Sequence, residues 1–143
     1  MMLVTAESCT GGWIGEAITA VPGSSVWFER GFITYSNASK HEMLGVRQAI
    51  LDQYGAVSPQ TAREMVIGAL TASHAQIGVS VTGIAGPDGG TAIKPVGMVC
   101  FAWATKDGLI RQETRFFDGT RETIRYAAVV AALQGIPQLL DRI

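Results

Sequence analysis

Cysteine is scarce in this chain of 143 residues: Cys9 and Cys100 stand far apart, without CxxC spacing. That argues against a disulfide framework or a thiolate zinc site and makes a reducing cytoplasm the expected setting. Histidine is equally scarce. His41 and His74 have no partners at ligand spacing, so no metal is expected. Neither sign of charge dominates, since 11 Lys and Arg face 12 Asp and Glu with no basic block. Neutralising a phosphate backbone needs clustered cations, so no nucleic-acid partner is expected. No apolar run approaches a membrane span, and no membrane association is expected. The opening Met-Met-Leu-Val-Thr-Ala has no charged n-region and is too short for a signal peptide. It reads as the end of a strand, so the natural protein is expected to begin earlier. Repeats, low-complexity tracts and linkers are also missing. What remains is 48% hydrophobic and only 16% charged, a composition that folds as one domain with a sizeable core.

The elements follow from periodicity and turn residues. Leu3–Ala6 reads as a short strand, Glu7–Gly12 as a glycine-containing turn, and Trp13 to about Ala20 as a helix ended by Pro22 and Gly23. Ser24 or Ser25 suits the cap of a single helical turn through Arg30, with Gly31 as its left-handed stop. Phe32–Ser36 then reads as a strand, and Asn37 as the cap of a helix carrying Lys40, Met43 and Leu44, broken at Gly45. Arg47–Tyr54 is a further short helix, stopped by Gly55. Ser58-Pro59 opens the clearest helix, with Ala62, Met65, Val66, Ala69 and Leu70 as its apolar stripe. Ile77–Thr82 reads as a strand, Gly83–Thr91 as a glycine-rich loop, and Val96–Thr105 as a strand buried on both faces. Lys106-Asp107-Gly108 makes a hairpin to an antiparallel strand over Leu109–Phe117. A last helix runs from Gly119-Thr-Arg-Glu to about Leu133, with more helix after Gly135-Ile-Pro137. This order predicts a single α/β domain, a three-layer α/β/α sandwich around a mixed sheet.

One stretch concentrates groups capable of covalent chemistry. Pro22–Lys40 holds Ser24, Ser25, Thr34, Tyr35, Ser36 and Lys40. Serine becomes a nucleophile when a base takes its proton, and a lysine of lowered pKa is such a base. The stretch therefore reads as the source of a Ser–Lys hydrolytic centre, although the same serines also suit helix caps and Lys40 a solvated helix face. Five of the eight residues from Gly83 to Gly90 are Gly or Pro, more than a hairpin needs. Such a loop brings backbone close to a ligand, and Thr82 and Thr91 flank it with hydroxyls. The turn Cys9–Gly12 ahead of its helix has the form of an anion site, weaker than a P-loop because Gly-Lys-Ser/Thr is missing. Arg121 and Arg125 sit one turn apart near a helix start, where the dipole disfavours cations unless an anion is bound. Glu7 reads as a capping carboxylate, and Cys9 as a small buried residue.

Together Thr5-Ala-Glu-Ser-Cys-Thr-Gly-Gly12, Pro22-Gly-Ser-Ser25, Thr34-Tyr-Ser-Asn37 with Lys40, Gly55-Ala-Val-Ser58, Thr82-Gly-Ile-Ala-Gly-Pro-Asp-Gly-Gly-Thr91 and Lys94-Pro-Val-Gly97 resemble the CinA C-terminal domain family over essentially the whole chain. That family includes stand-alone nicotinamide-mononucleotide deamidases. The resemblance implies an additional helix ahead of the first strand, which this sequence lacks. It also implies hydrolysis of the carboxamide of nicotinamide mononucleotide to nicotinic acid mononucleotide and ammonia, with no metal or redox cofactor. Carried over by motif, it implies Ser25 as nucleophile, Lys40 as its base and Tyr35 beside them. Thr82 and Arg121 would lie in the site and Ser8 at its edge. Thr10, Gly11, Gly12, Gly83 and Gly86 are the expected substrate-binding backbone, the first three at the nucleotide phosphate. A homodimer is expected, with the site inside one subunit or shared between two. Two other classes stay open: a nucleotide-binding accessory protein of competence or damage response, and an amidohydrolase for another phosphorylated amide.

Overall fold

Five strands form one sheet in the order β2-β1-β3-β4-β5. The computed structural model describes all of residues 1–143. The strands are β1 (Leu3–Glu7), β2 (Phe28–Ile33), β3 (Ile77–Gly83), β4 (Met98–Thr105) and β5 (Ile110–Phe116). β1 runs parallel to both β2 and β3, whereas β4 and β5 are antiparallel additions. The helices are α1 (Trp13–Thr19), α2 (Asn37–Leu44), α3 (Gln48–Tyr54), α4 (Pro59–Thr71) and α5 (Arg121–Leu140). The α/β/α sandwich is therefore the observed fold. α1 and α5 cover one face through a core that includes Ile14, Ile18, Ile124 and Val129. The other face is covered by α2, α3 and α4 through Leu44, Leu51, Met65 and Val66.

Period-two alternation along the strands decides how closely each layer approaches. On β4, Val99, Phe101 and Trp103 face α1 and α5, while Cys100, Ala102 and Ala104 face α4. The small side chains let α4 sit close to the sheet. A side chain at Gly78 on β3 would press within 3.1 Å of Val66 on that helix. On the opposite face Trp103 stacks on Phe101 at 5.5 Å and donates its indole N–H to the Ala132 carbonyl at 2.9 Å. Every residue of β4 is buried, as a strand covered on both faces requires.

Two stretches differ from the periodicity reading. The region after Gly23 makes only one 3-10 turn, Ser24–Val26, with no side-chain cap from either serine, and the next strand starts at Phe28. Gly31 is thus no helix stop. It lies within β2, where a Cβ would stand 2.6 Å from the Thr5 hydroxyl of β1. Pairing with β1 outweighs the local turn propensity. Thr34 and Tyr35 lie beyond the strand, and Ser36 rather than Asn37 caps α2, in a reciprocal capping box with Ser39. The second difference is α5, which is one helix through Gly135 and Pro137. Gly135 is required there because any side chain would run into the Trp103 indole. Tertiary packing, not helix propensity, fixes that glycine.

Candidate active site at the carboxyl ends of the parallel strands

In an α/β sheet the loops beyond the C-terminal strand ends are where a ligand crevice forms. Here β1 runs out at Glu7 into Ser8, β2 into Thr34 and Tyr35, and β3 into the Gly83–Gly90 loop. A cleft of about 290 Å³ lies over these ends, lined by Ser8, Tyr35, Lys40, Thr82, Asp88 and Arg121 among others.

Lys40 is the centre of the arrangement. It stands on α2 and is 1% exposed. Its Nζ lies 2.9 Å from Ser8 Oγ, 2.8 Å from the Thr34 carbonyl and 3.3 Å from the Tyr35 carbonyl. No carboxylate pairs with it. Burial without a counter-charge disfavours the ammonium and lowers its pKa from 10.5 to about 8. A neutral lysine amine has two N–H groups and one lone pair. The two carbonyls only accept, so they take both hydrogens, and the lone pair faces the Ser8 hydroxyl. That is the arrangement of a nucleophile and its base.

Ser8 owes its position to the turn that follows it. Its N–H donates to Val81 on β3 at 3.0 Å, extending the parallel pairing by one residue. Glu7, 2% exposed, turns its carboxylate back under α1. There it accepts from Thr10 Oγ1 at 2.6 Å and from the amides of Gly12, Ile14 and Gly15 at 3.2, 2.9 and 3.0 Å. The anion expected at the start of α1 is therefore the protein's own carboxylate. Thr10, Gly11 and Gly12 shape the turn but do not line the cleft. Cys9 does line it, yet burial pushes its thiol up to about 11, so it stays protonated and non-nucleophilic at neutral pH.

Ser25 does not line this cleft. It is exposed on the 3-10 turn before β2. The first residue of that strand pairs with Leu3, at the end of the sheet opposite Ser8 and Lys40. Ser24 is buried at the same end. Within this chain Lys40 contacts Ser8 and not the Ser25 expected from the motif. The signal available in the sequence was the position of Ser8 directly after a strand, at the end of a parallel sheet where a ligand crevice forms.

The other expected residues gather around the cleft. Thr82 is buried, and its hydroxyl donates to the Ala56 carbonyl at 2.7 Å. Arg121 donates to the Gly86 carbonyl at 2.7 Å and to the Tyr35 hydroxyl at 3.1 Å, so it ties the glycine loop to the mouth. Gly83 and Gly86 both line the wall. In that loop the amides of Ala85, Gly86, Asp88, Gly89 and Gly90 donate to no acceptor within the chain. His41 bonds the Val46 carbonyl through Nδ1, and no three His, Cys, Asp or Glu side chains stand together. No helix is long and apolar enough to cross a membrane.

Comparison with known proteins agrees with this architecture. A protein of Enterobacter agglomerans named nicotinamide-nucleotide amidohydrolase PncC is 58% identical over 129 residues, covering 90% of this chain and 79% of that protein. The protein of the same name from Escherichia coli K12 is 54% identical over 138 residues, covering 95% and 82%. A crystal structure of the competence/damage inducible protein CihA from Agrobacterium tumefaciens superposes with a TM-score of 0.95 at 48% identity, covering 97% of this chain and 85% of that one. The sequence profile of the CinA C-terminal domain matches residues 1–140. The chain belongs to the CinA C-terminal domain family.

Proposed function

We propose that this protein is a nicotinamide-nucleotide amidohydrolase that cleaves the carboxamide of nicotinamide mononucleotide with Ser8 as nucleophile and Lys40 as base. The observation that carries the proposal is the 2.9 Å contact between Lys40 Nζ and Ser8 Oγ inside the cleft. The names of the high-identity relatives supply the substrate.

The chemistry follows from the two residues. Neutral Lys40 takes the Ser8 hydroxyl proton as Oγ bonds to the amide carbon and the carbonyl electrons move onto oxygen. When the tetrahedral adduct collapses, the C–N bond breaks, and the leaving nitrogen takes the proton from the Lys40 ammonium and departs as ammonia. A water then gives a proton to Lys40 and attacks the Ser8 ester. Breaking the ester bond returns that proton to Ser8 Oγ and releases the nicotinate. The nucleotide phosphate is assigned to the free amides of the Ala85–Gly90 loop and to Arg121, in place of the α1 start that Glu7 fills. Asp88, the one acidic side chain on the cleft wall, suits the positive pyridinium ring. Tyr35 contributes its carbonyl to Lys40 and its hydroxyl to Arg121. A homodimer in a reducing cytoplasm belongs to the same proposal. The two free, buried cysteines suit the compartment, and sedimentation tests the assembly.

Ammonia release from nicotinamide mononucleotide by the wild type and by Ser8→Ala, Lys40→Met and Ser25→Ala tests the assignment. Activity is expected in the wild type and Ser25→Ala and lost in the other two. Activity lost in Ser25→Ala but kept in Ser8→Ala would return the nucleophile to Ser25. A folded wild type that binds the nucleotide and releases no ammonia would make the protein a binding module.

A further inference from the structure

Arg125 lies one helical turn beyond Arg121 but contributes nothing to the cleft wall. It forms no ion pair with any carboxylate. Its guanidinium instead crosses from α5 to the turn after Ser8. Nε donates to the Cys9 carbonyl at 3.0 Å and a terminal nitrogen to the Thr10 carbonyl at 3.1 Å. The same group lies 5.4 Å from the centre of the Trp13 ring. This half-buried cation is spent on two consecutive backbone carbonyls in the turn that follows Ser8.

The remaining bonds of the turn show what this achieves. The Ser8 carbonyl accepts from the Gly11 N–H at 3.1 Å, and the Thr10 carbonyl also accepts from Trp13 at 3.0 Å. All three carbonyls from Ser8 to Thr10 are therefore engaged. The N–H groups of Cys9 and Thr10 donate to no other residue, although Cys9 is 7% exposed and Thr10 fully buried. Buried amides are normally paired, and those that are not ask for a reason. Cys9 lines the cleft whereas Thr10 does not, so of the two free amides that of Cys9 stands where a substrate can reach it.

We infer that Arg125 is a positioning residue for the reaction: by fixing the Cys9 and Thr10 carbonyls it holds the turn so that the free Cys9 N–H receives the oxyanion formed when Ser8 attacks. The inference rests on Ser8 being the nucleophile. Donors aimed where charge develops act mainly on the transition state. Holding such a donor in place acts on kcat and leaves substrate binding alone, because Arg125 touches neither the cleft nor the loop assigned to the phosphate.

The test uses Arg125→Met, which keeps an apolar stem over Trp13, and Arg125→Lys, which keeps the charge but loses the planar fork of the guanidinium. Steady-state hydrolysis of nicotinamide mononucleotide and thermal unfolding are measured for both and for Ser8→Ala. Arg125→Met is expected to lower kcat by on the order of 10- to 100-fold with KM within about twofold. Arg125→Lys is expected to fall between it and the wild type. If Arg125→Met does not fold, the kcat of Arg125→Lys decides alone. An unchanged kcat in a folded variant, or a loss that appears in KM, overturns the inference while an inactive Ser8→Ala leaves the nucleophile in place. An active Ser8→Ala overturns the nucleophile and the inference with it.

Discussion

Replacing Lys40 with methionine separates the chemistry of a buried amine from its packing. The unfolded chain keeps this lysine protonated to about its ordinary value of 10.5, whereas the folded chain releases the proton near pH 8. Between those values the unfolded state binds more protons, so the stability of the wild type rises with pH across the window. Below it the chain carries the full penalty. At about 1.4 kcal/mol per pH unit the penalty comes to about 3 kcal/mol at neutral pH. Lys40→Met has no such proton. The unfolding free energy of the wild type minus that of the variant is expected to rise by about 2.5 kcal/mol from pH 7 to pH 10. Cys9 acts in the opposite direction above pH 9, because burial raises its thiol to about 11, so the rise between pH 7 and pH 9 is the part that reports Lys40 alone. Urea titrations followed by tryptophan fluorescence at a series of pH values supply the measurement. The rate gives an independent reading. The wild-type kcat/KM is expected to climb through an apparent pKa of about 8 to an alkaline plateau, with roughly a tenth of the lysine neutral at pH 7. A stability difference that stays flat across the window would refute the argument that Lys40 is held uncharged by burial.

Three further outcomes follow from particular contacts. Glu7→Gln exchanges a carboxylate serving four donors for an amide that repels some of them, and is expected to cost about 2–3 kcal/mol in chemical unfolding. Gly135→Ala is expected to destabilise by about 1–3 kcal/mol, despite alanine's better helix propensity, because the new methyl meets Trp103; a higher melting temperature would contradict this. Arg121→Met removes the bond to Gly86 and the charge at the cleft mouth. KM for nicotinamide mononucleotide is expected to rise by roughly 10- to 100-fold in initial-rate measurements, with the melting temperature unchanged.

Local patterns determined most of the scaffold. The Ser58-Pro59 start of α4 and its stripe are legible because capping and 3.6-residue periodicity act within a few residues. The all-apolar run of β4 and the hairpin into β5 are legible for the same reason. Lys40, Tyr35, Thr82 and Arg121, which the motifs suggest as site residues, line one cleft. The tertiary structure alone decided which serine joins them. Ser25 is closer to Lys40 along the chain, but the intervening β2 carries the two to opposite ends of the sheet. Ser8 lies 32 residues from Lys40, yet parallel pairing of β1 and β2 brings their C-terminal ends side by side. The same holds for Glu7, whose carboxylate takes the anion place that the glycine turn advertises. It holds again for Arg125, which reaches the Ser8 turn across 116 residues. Sequence spacing reports on contacts within an element. Which strand ends meet, and which charge is already neutralised when they do, is fixed only when the sheet closes.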